Sequence, residues 1–198
     1  MVRRKSVTST QDVARLLPIG SVVVADHQTA GRGRLDHRWE SPPGTALLAS
    51  FVMHPNPLLS LAAGVAAAEA AGAGVRLKWP NDLLLHGAKV GGILVESGPA
   101  KAICGIGINL TWAPEGAATL NIERDALLNA LRIELERWSS ASPEKVLARW
   151  RELSDTLGRR VRVELPGKVI EGTAQDIGSA GELIVDGASI ASGSVTHL

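Results

Sequence analysis

Apolar positions along the chain alternate between two periods. Val22-Val23-Val24 and the stretch Thr45 to Met53 are short aliphatic runs that read as buried strands. Leu58 to Gly72 lies in an Ala-rich apolar stretch that reaches Ala73, carries Ser60 and Glu69, and predicts a buried helix. Val75 to Trp79 and Leu83 to Leu85 predict strands on either side of a Pro80-Asn81-Asp82 break. His86-Gly87 predicts a hairpin tip leading into a strand over Lys89 to Glu96, and Ala102 to Ile108 a further strand. Leu127, Leu128, Leu131 and Leu135 keep helical spacing, so Asp125 to Trp138 predicts a helix. Pro143, at a first-turn position, opens another that runs to Leu153. Upstream, Ser9-Thr10-Gln11-Asp12 before Val13, Leu16 and Leu17 marks a helix N-terminus, and Pro18 and Gly20 close it. Between Asp26 and Gly44 there is little periodicity and much Gly and Pro, which reads as a long loop of the sort that is usually functional or disordered.

After Gly158 the texture changes. Val161, Val163 and Leu165 alternate, and Ile170 to Ile177, Leu183 to Val185 and Ser189 to Val195 follow as short strands punctuated by glycine. This pattern predicts a small β-barrel. The chain is therefore divided into residues 1–157 and 158–198. The larger unit has clustered strands with helices to one side, an α+β layout rather than βαβ repetition.

Composition changes the picture in three places. With 198 residues and 45% hydrophobic content, the chain can bury a core without staples. Aromatics are only 3%, so that core rests on aliphatic residues and each of the five Trp deserves a question. Lys plus Arg is 21 and Asp plus Glu is 20, and a net charge of +1 argues against broad binding to nucleic acid or membrane. Cys104 is the one cysteine, in an apolar run, and reads as a small buried residue in a reducing cytoplasm. No Cys/His cluster suggests a metal site, no apolar h-region follows Met1 to Lys5, and no run is long enough to span a membrane.

Four segments carry candidate chemistry. In Gln28-Thr29-Ala30-Gly31-Arg32-Gly33-Arg34, two glycines permit close backbone approach and two arginines can fork onto phosphate or carboxylate oxygens. Trp39 follows as a ring for a base; the heptapeptide alone is equally a solvated loop or an RNA-binding tract. Lys78-Trp79-Pro80-Asn81-Asp82 can present an amide and a carboxylate into a cleft, although Pro-Asn-Asp is also plain turn chemistry. Lys89-Val90-Gly91-Gly92-Ile93-Leu94 starts an apolar strand with a charge and sets two glycines beside it, as a flat ligand lying on the backbone requires. Gly105-Ile106-Gly107-Ile108-Asn109 lacks the third glycine of a dinucleotide fingerprint. It reads as a strand on which something packs closely.

In this order and spacing the segments resemble the biotin–protein ligase family, over nearly the whole chain: Ser9-Thr10-Gln11, Gln28 through Trp39, Ser41-Pro42, Lys78 through Leu83, Lys89 through Glu96 and Gly105 through Asn109. The resemblance implies a class II synthetase-like mixed β-sheet with helices on one face and a C-terminal SH3-like β-barrel. It implies that Ser9, Thr10, Gln11 and Gln28 line the biotin ring end. Arg32, Gly33 and Arg34 close over the biotin carboxylate and adenylate phosphate, with Lys89, Gly91 and Gly92 beside the reacting groups. Arg34, Trp39, Asn81, Lys89 and Asn109 lie on the ATP side, and Lys89, Arg32 and Arg34 are the catalytic cations. ATP with Mg²⁺, biotin, and a biotin carboxyl carrier domain of acetyl-CoA carboxylase or a similar carboxylase are the implied cofactors and partners. The resemblance leaves a homodimer open. The barrel is expected to serve turnover beside the nucleotide without lining the biotin pocket. The chain departs from the family pattern at Gln11, where Asn is usual, and at Leu35-Asp36-His37. Thr111 to Leu120 is short, and nothing before Ser9 holds a helix-turn-helix.

The implied reaction has two steps, attack of biotin carboxylate on the α-phosphorus of ATP and transfer of the biotinyl group to a carrier lysine. Two competitors remain. A lipoate or octanoate ligase of the related fold calls for a pocket suited to a flexible aliphatic chain, whereas Ser9, Thr10, Gln11 and Gln28 suit a ureido ring whose polar groups need partners. A nucleic-acid-binding module built on the Arg loop is opposed by the balanced charge and the lack of an aromatic platform.

Overall fold

The computed structural model describes residues 1–35, 37–72 and 74–198. Asp36, in the Leu35-Asp36-His37 departure, and Ala73, at the end of the Ala-rich stretch, lie outside the described residues.

The chain opens with strand β1 (Val2–Val7), helix α1 (Thr10–Ala14), β2 (Val22–Gln28), the two-residue strands β3 (Gly31–Arg32) and β4 (Arg38–Trp39), and β5 (Ala46–Met53). Helix α2 (Leu59–Ala71), β6 (Val75–Lys78), β7 (Asp82–Leu85), β8 (Ala88–Ser97) and β9 (Ala102–Asn109) follow. Helices α3 (Arg124–Ser139) and α4 (Pro143–Leu153) lead to β10 (Arg160–Leu165), β11 (Lys168–Ile177), β12 (Leu183–Val185), β13 (Ala188–Ile190) and β14 (Ser194–His197).

Seven strands form one mixed sheet in the order β1-β2-β5-β9-β8-β7-β6, with β1 and β2 parallel and every other pair antiparallel. Because side chains alternate across a strand, the sheet has two distinct faces. Leu47, Ala49 and Phe51 join Cys104, Ile106 and Ile108 in the main core, under α2 and α3. The Ala-rich composition of α2 suits a helix pressed between the sheet and both α3 and α4; its residues Leu61 to Ala68 are all buried. The helices are not all on one face, as the sequence had implied. The short α1 crosses the opposite face, where Ala14 packs on Val23, Val52 and Ile103.

Two sequence expectations change here. The segment before Ser9, to which the sequence pattern assigned no element, is an edge strand, β1. Within the Asp26 to Gly44 loop, β3 and β4 pair as a hairpin, Gly31 opposite Trp39 and Arg32 opposite Arg38. His86 and Gly87 both take positive φ (51° and 80°), the conformation a two-residue hairpin turn requires.

The C-terminal strands form a five-stranded antiparallel sheet, β13-β12-β11-β10-β14. Its end strands β13 and β14 are not paired with each other, so among the described residues the expected barrel is hydrogen-bonded as an open sheet. A break over Ala191–Gly193 splits the single strand anticipated from Ser189 to Val195. Val161, Val163, Ala174, Ile177, Leu183 and Val195 face its interior and are continuous with the main core.

Candidate active site

Small residues open a depression on the sheet face opposite α2 and α3. Leu48 pairs with Gly107 and Ser50 with Gly105 across β5 and β9, and Gly92 pairs with Gly107 across β8 and β9. Above this floor lies a cavity of about 300 Å³, walled by α1, the β3–β4 hairpin, the turn after β6, and Gly193 to Val195 of the C-terminal sheet.

At one end the walls are polar and buried. Ser9 is the N-cap of α1, its hydroxyl accepting from the Gln11 amide at 3.3 Å. The Gln28 Oε1 accepts from both the Thr10 amide (2.7 Å) and the Thr10 hydroxyl (3.0 Å), which leaves its Nε2 for the cavity. Gln11 is only 4% exposed. Its Nε2 donates to the Leu94 carbonyl at 3.1 Å, which turns its Oε1 away with no protein partner. Gly105 makes room for this amide, since a Cβ there would stand 2.6 Å from Gln11 Nε2.

The middle of the floor is covered by Trp39. Its ring lies on Gly107, where a Cβ would approach to 2.7 Å, and reaches Gly92. The indole Nε1 is buried without a partner among the described residues. Two orphaned polar atoms in one cavity are costly unless a ligand completes them.

Charge is divided unevenly along the cavity. Arg32 pairs with Asp12 of α1 at 2.8 Å and stands 4.0 Å from Glu96. The guanidinium beside Asp12 holds that carboxyl below its ordinary range despite partial burial. Toward β6 lie Arg34, Lys78 and Lys89 around one carboxylate, Asp82, which Lys89 contacts at 2.6 Å. Arg34 reaches the Asn81 Oδ1 at 3.5 Å, and burial lowers its pKa. Asn81 is itself anchored by donation from Nδ2 to the Ile93 carbonyl at 2.8 Å.

Of the residues expected from sequence, Ser9, Thr10, Gln11, Gln28, Arg32, Gly33, Arg34, Trp39, Asn81, Lys89 and Gly92 line this one cavity. Two do not. Gly91 faces the helix side of the sheet, where a Cβ would meet the Gly107 carbonyl oxygen at 2.8 Å and the Leu83 side chain. Asn109 is 3% exposed and spends its amide on the Ala118 carbonyl at 3.1 Å, bracing the segment after β9. Gly91 and Asn109 thus belong to the frame around the cavity and are not among the residues lining it.

The sequence pattern offered the Asp82 carboxylate to a cleft and a close-packing strand at Gly105 and Gly107, but gave these residues and Lys78 no binding role; all four line the cavity. Nothing local marks Ser194, which reaches the cavity from β14 only because the C-terminal sheet docks on the turn after β6. That docking is specific: the Trp79 indole donates to the Gly181 carbonyl at 3.0 Å, and the Trp79 amide donates to the Thr156 hydroxyl at 3.0 Å. Cys104 lies in the core with its thiol pushed up to about 12 by burial, which removes it as a nucleophile.

Residues 3–111 match the model of the biotin/lipoate A/B protein ligase family, and residues 156–197 that of the biotin protein ligase C-terminal domain. A biotin–[acetyl-CoA-carboxylase] ligase of Mycobacterium tuberculosis is 35% identical over 90% of this chain and 79% of its own. The Aquifex aeolicus biotin protein ligase solved with biotin and ATP superimposes with a TM-score of 0.84 at 28% identity, covering 100% of this chain and 97% of that one. The Leishmania major biotin protein ligase solved with biotinyl-5-AMP gives 0.73 at 29% identity, over 100% and 97% of the two chains.

Proposed function

The chain belongs to the biotin/lipoate A/B protein ligase family, and from that premise we propose how its own residues divide the work. It is a biotin–protein ligase, which adenylates biotin with ATP to biotinyl-5′-AMP and transfers the biotinyl group to a carrier lysine. The observation that carries the residue assignment is the polar cradle at one end of the cavity. Gln11 Oε1 supplies the acceptor that a ureido N–H needs, and the Ser9 hydroxyl and Gln28 Nε2 supply donors for the ureido carbonyl. An aliphatic lipoyl or octanoyl chain would leave all three unpaired, at about 1–3 kcal/mol for each buried group.

With the ring held there, the carboxylate points along the floor toward Lys89 and Arg34. In the first step the carboxylate oxygen bonds to the α-phosphorus, and the bond from that phosphorus to the bridging oxygen breaks, releasing pyrophosphate. In the second, the carrier amine attacks the activated carbonyl and AMP leaves. Both steps gather negative charge on oxygen, so fixed cations stabilise both transition states. Lys89 and Arg34 are placed for this. Arg32, being paired with Asp12, contributes by holding the hairpin on α1 beside the biotin carboxylate. The nucleophiles belong to the substrates, and closure of the hairpin with Trp39 keeps water from the adenylate.

Magnesium would arrive with the nucleotide. Among the described residues no group of three or more His, Cys, Asp or Glu is placed to hold a metal, and Asp82 is already paired, so phosphates and water are its natural ligands. We assign residues 1–157 to the two small substrates and residues 158–198 to a C-terminal unit buttressing the nucleotide end. The acceptor we propose is the biotin carboxyl carrier domain of acetyl-CoA carboxylase or a similar carboxylase. No described helix is long and apolar enough to cross a membrane, and the buried, unpaired Cys104 accords with a cytoplasmic setting. Incubation with ATP, biotin and a carrier domain, followed by mass measurement of the carrier, tests the whole reading. A biotinyl adduct is expected, with none from lipoate or octanoate; adducts from all three acids would refute the role given to Gln11.

A further inference from the structure

The cation-rich end of the cavity gathers Arg34, Lys78 and Lys89 around one carboxylate, Asp82. Lys89 is matched by Asp82, and Arg34 leans on Asn81. Lys78 closes β6 just before the Trp79–Pro80 turn and is half-buried on the cavity wall. Among the described residues it makes neither a salt bridge nor a side-chain hydrogen bond. The carboxylates whose charge acts on it are engaged, Asp82 by Lys89 and Asp155 by Arg159 at 2.9 Å. An ammonium partly withdrawn from water with no anion beside it is costly. Burial lowers its pKa and Lys89 lowers it further, against the pull of Asp82 and Asp155.

A cavity that keeps such a group on its wall is built for an anion. We propose that Lys78 binds the β- and γ-phosphates of ATP and the pyrophosphate they become, making it a substrate-binding residue for the leaving group. This inference rests on the adenylation reading above. As the bond from the α-phosphorus to the bridging oxygen breaks, its electron pair passes to pyrophosphate, and the Lys78 ammonium meets that added charge. Lys89 and Arg34 remain with the α-phosphate and carboxylate. Ser194 and its glycine neighbour Gly193 complete the wall on this side, which gives the C-terminal sheet a part in nucleotide binding.

Lys78→Met keeps the aliphatic stem and removes the charge, and Lys78→Arg keeps the charge. Three measurements separate the possibilities: calorimetric titration with pyrophosphate, single-turnover adenylation with ATP and biotin, and transfer to the carrier from chemically prepared biotinyl-5′-AMP. For Lys78→Met we expect pyrophosphate affinity to fall about tenfold or more. Adenylation kcat/KM for ATP should fall on the order of 100-fold, and transfer from the prepared adenylate should stay within about threefold of wild type. Lys78→Arg should recover most of the first two. Unchanged pyrophosphate affinity in Lys78→Met overturns the proposal. So does an equal loss in both half-reactions, which would mark Lys78 as structural. A wild-type protein that binds pyrophosphate through Lys78 yet adenylates no biotin would sink the functional reading and leave the phosphate site standing.

Discussion

Asp82 holds the Lys89 ammonium at 2.6 Å on the cavity wall, and Gly92, with no side chain, lets Lys89, Asp82 and the Trp39 ring converge beside it. Lys89→Ala removes a cation and strands a carboxylate facing the phosphates. Adenylation is expected to fall on the order of 100-fold or more, while biotin affinity, set at the other end of the cavity, changes little. Parallel calorimetry and pyrophosphate release check this, and normal release by the variant removes Lys89 from the mechanism. Gly105→Ala acts at that other end. The new Cβ would stand 2.6 Å from Gln11 Nε2, a side-chain tip that can move only by leaving the Leu94 carbonyl. We expect KM for biotin to rise about tenfold, the value of roughly one hydrogen bond, with kcat nearly retained; an unchanged KM would show that Gln11 does not bind the ring. Residue types were legible in the motifs, but their facing was not. Gly91 and Gly92 are equivalent on paper, yet consecutive strand residues point to opposite faces, and only the packed sheet shows which face holds the site.

The β3–β4 hairpin was read as an irregular loop because strands of two residues carry no period. Its order comes from contacts distant in sequence, with Arg32 on Asp12, Trp39 on Gly107 and Arg34 against Asn81. Arg34 thus ties the hairpin to the turn after β6. Arg34→Gly removes that tie and adds backbone freedom. The expected outcome is faster escape of biotinyl-5′-AMP and biotin labelling of bystander proteins such as albumin; stopped-flow dissociation and bystander labelling both at wild-type levels would return the closing role to Arg32. Strand β1 was missed for a related reason. Val2–Val7 is an edge strand with four exposed residues in its middle, so backbone pairing to β2 holds it without an apolar pattern to announce it. The long, well-packed elements were the opposite case: Pro143 to Leu153 was placed to the residue by its proline and its apolar spacing.

At the scale of the whole molecule the two sheets meet along a polar seam that titrates. The Thr156 hydroxyl accepts from the Trp79 amide and has its own hydrogen to offer His197 Nε2, at 3.1 Å. In the neutral ring Nε2 can accept that hydrogen, whereas protonation reverses the bond. Burial, with Lys78 and Arg159 nearby, lowers the His197 pKa, and Asp155 only partly opposes them. A pKa depressed in the folded state means that the unfolded chain takes up the proton first. The stability held by the neutral ring is therefore complete above about pH 6.5 and is lost as pH falls toward the folded value. Melting curves between pH 8 and pH 5.5 are expected to show a steeper acid loss for wild type than for His197→Gln; parallel losses would clear His197 of this role. The resemblance of its motifs pointed to the reaction family, and the sequence by itself determined the helices α2, α3 and α4 and most strands. It could do so because apolar period and glycine-rich punctuation are local properties. Tertiary structure alone decided that α1 crosses the far face of the sheet, that Gly91 and Asn109 turn from the cavity, that Arg32 is neutralised while Lys78 is not, and that Ser194 arrives from the C-terminal sheet. Each depends on which distant groups become neighbours and how much water is left between them, and no local pattern encodes that.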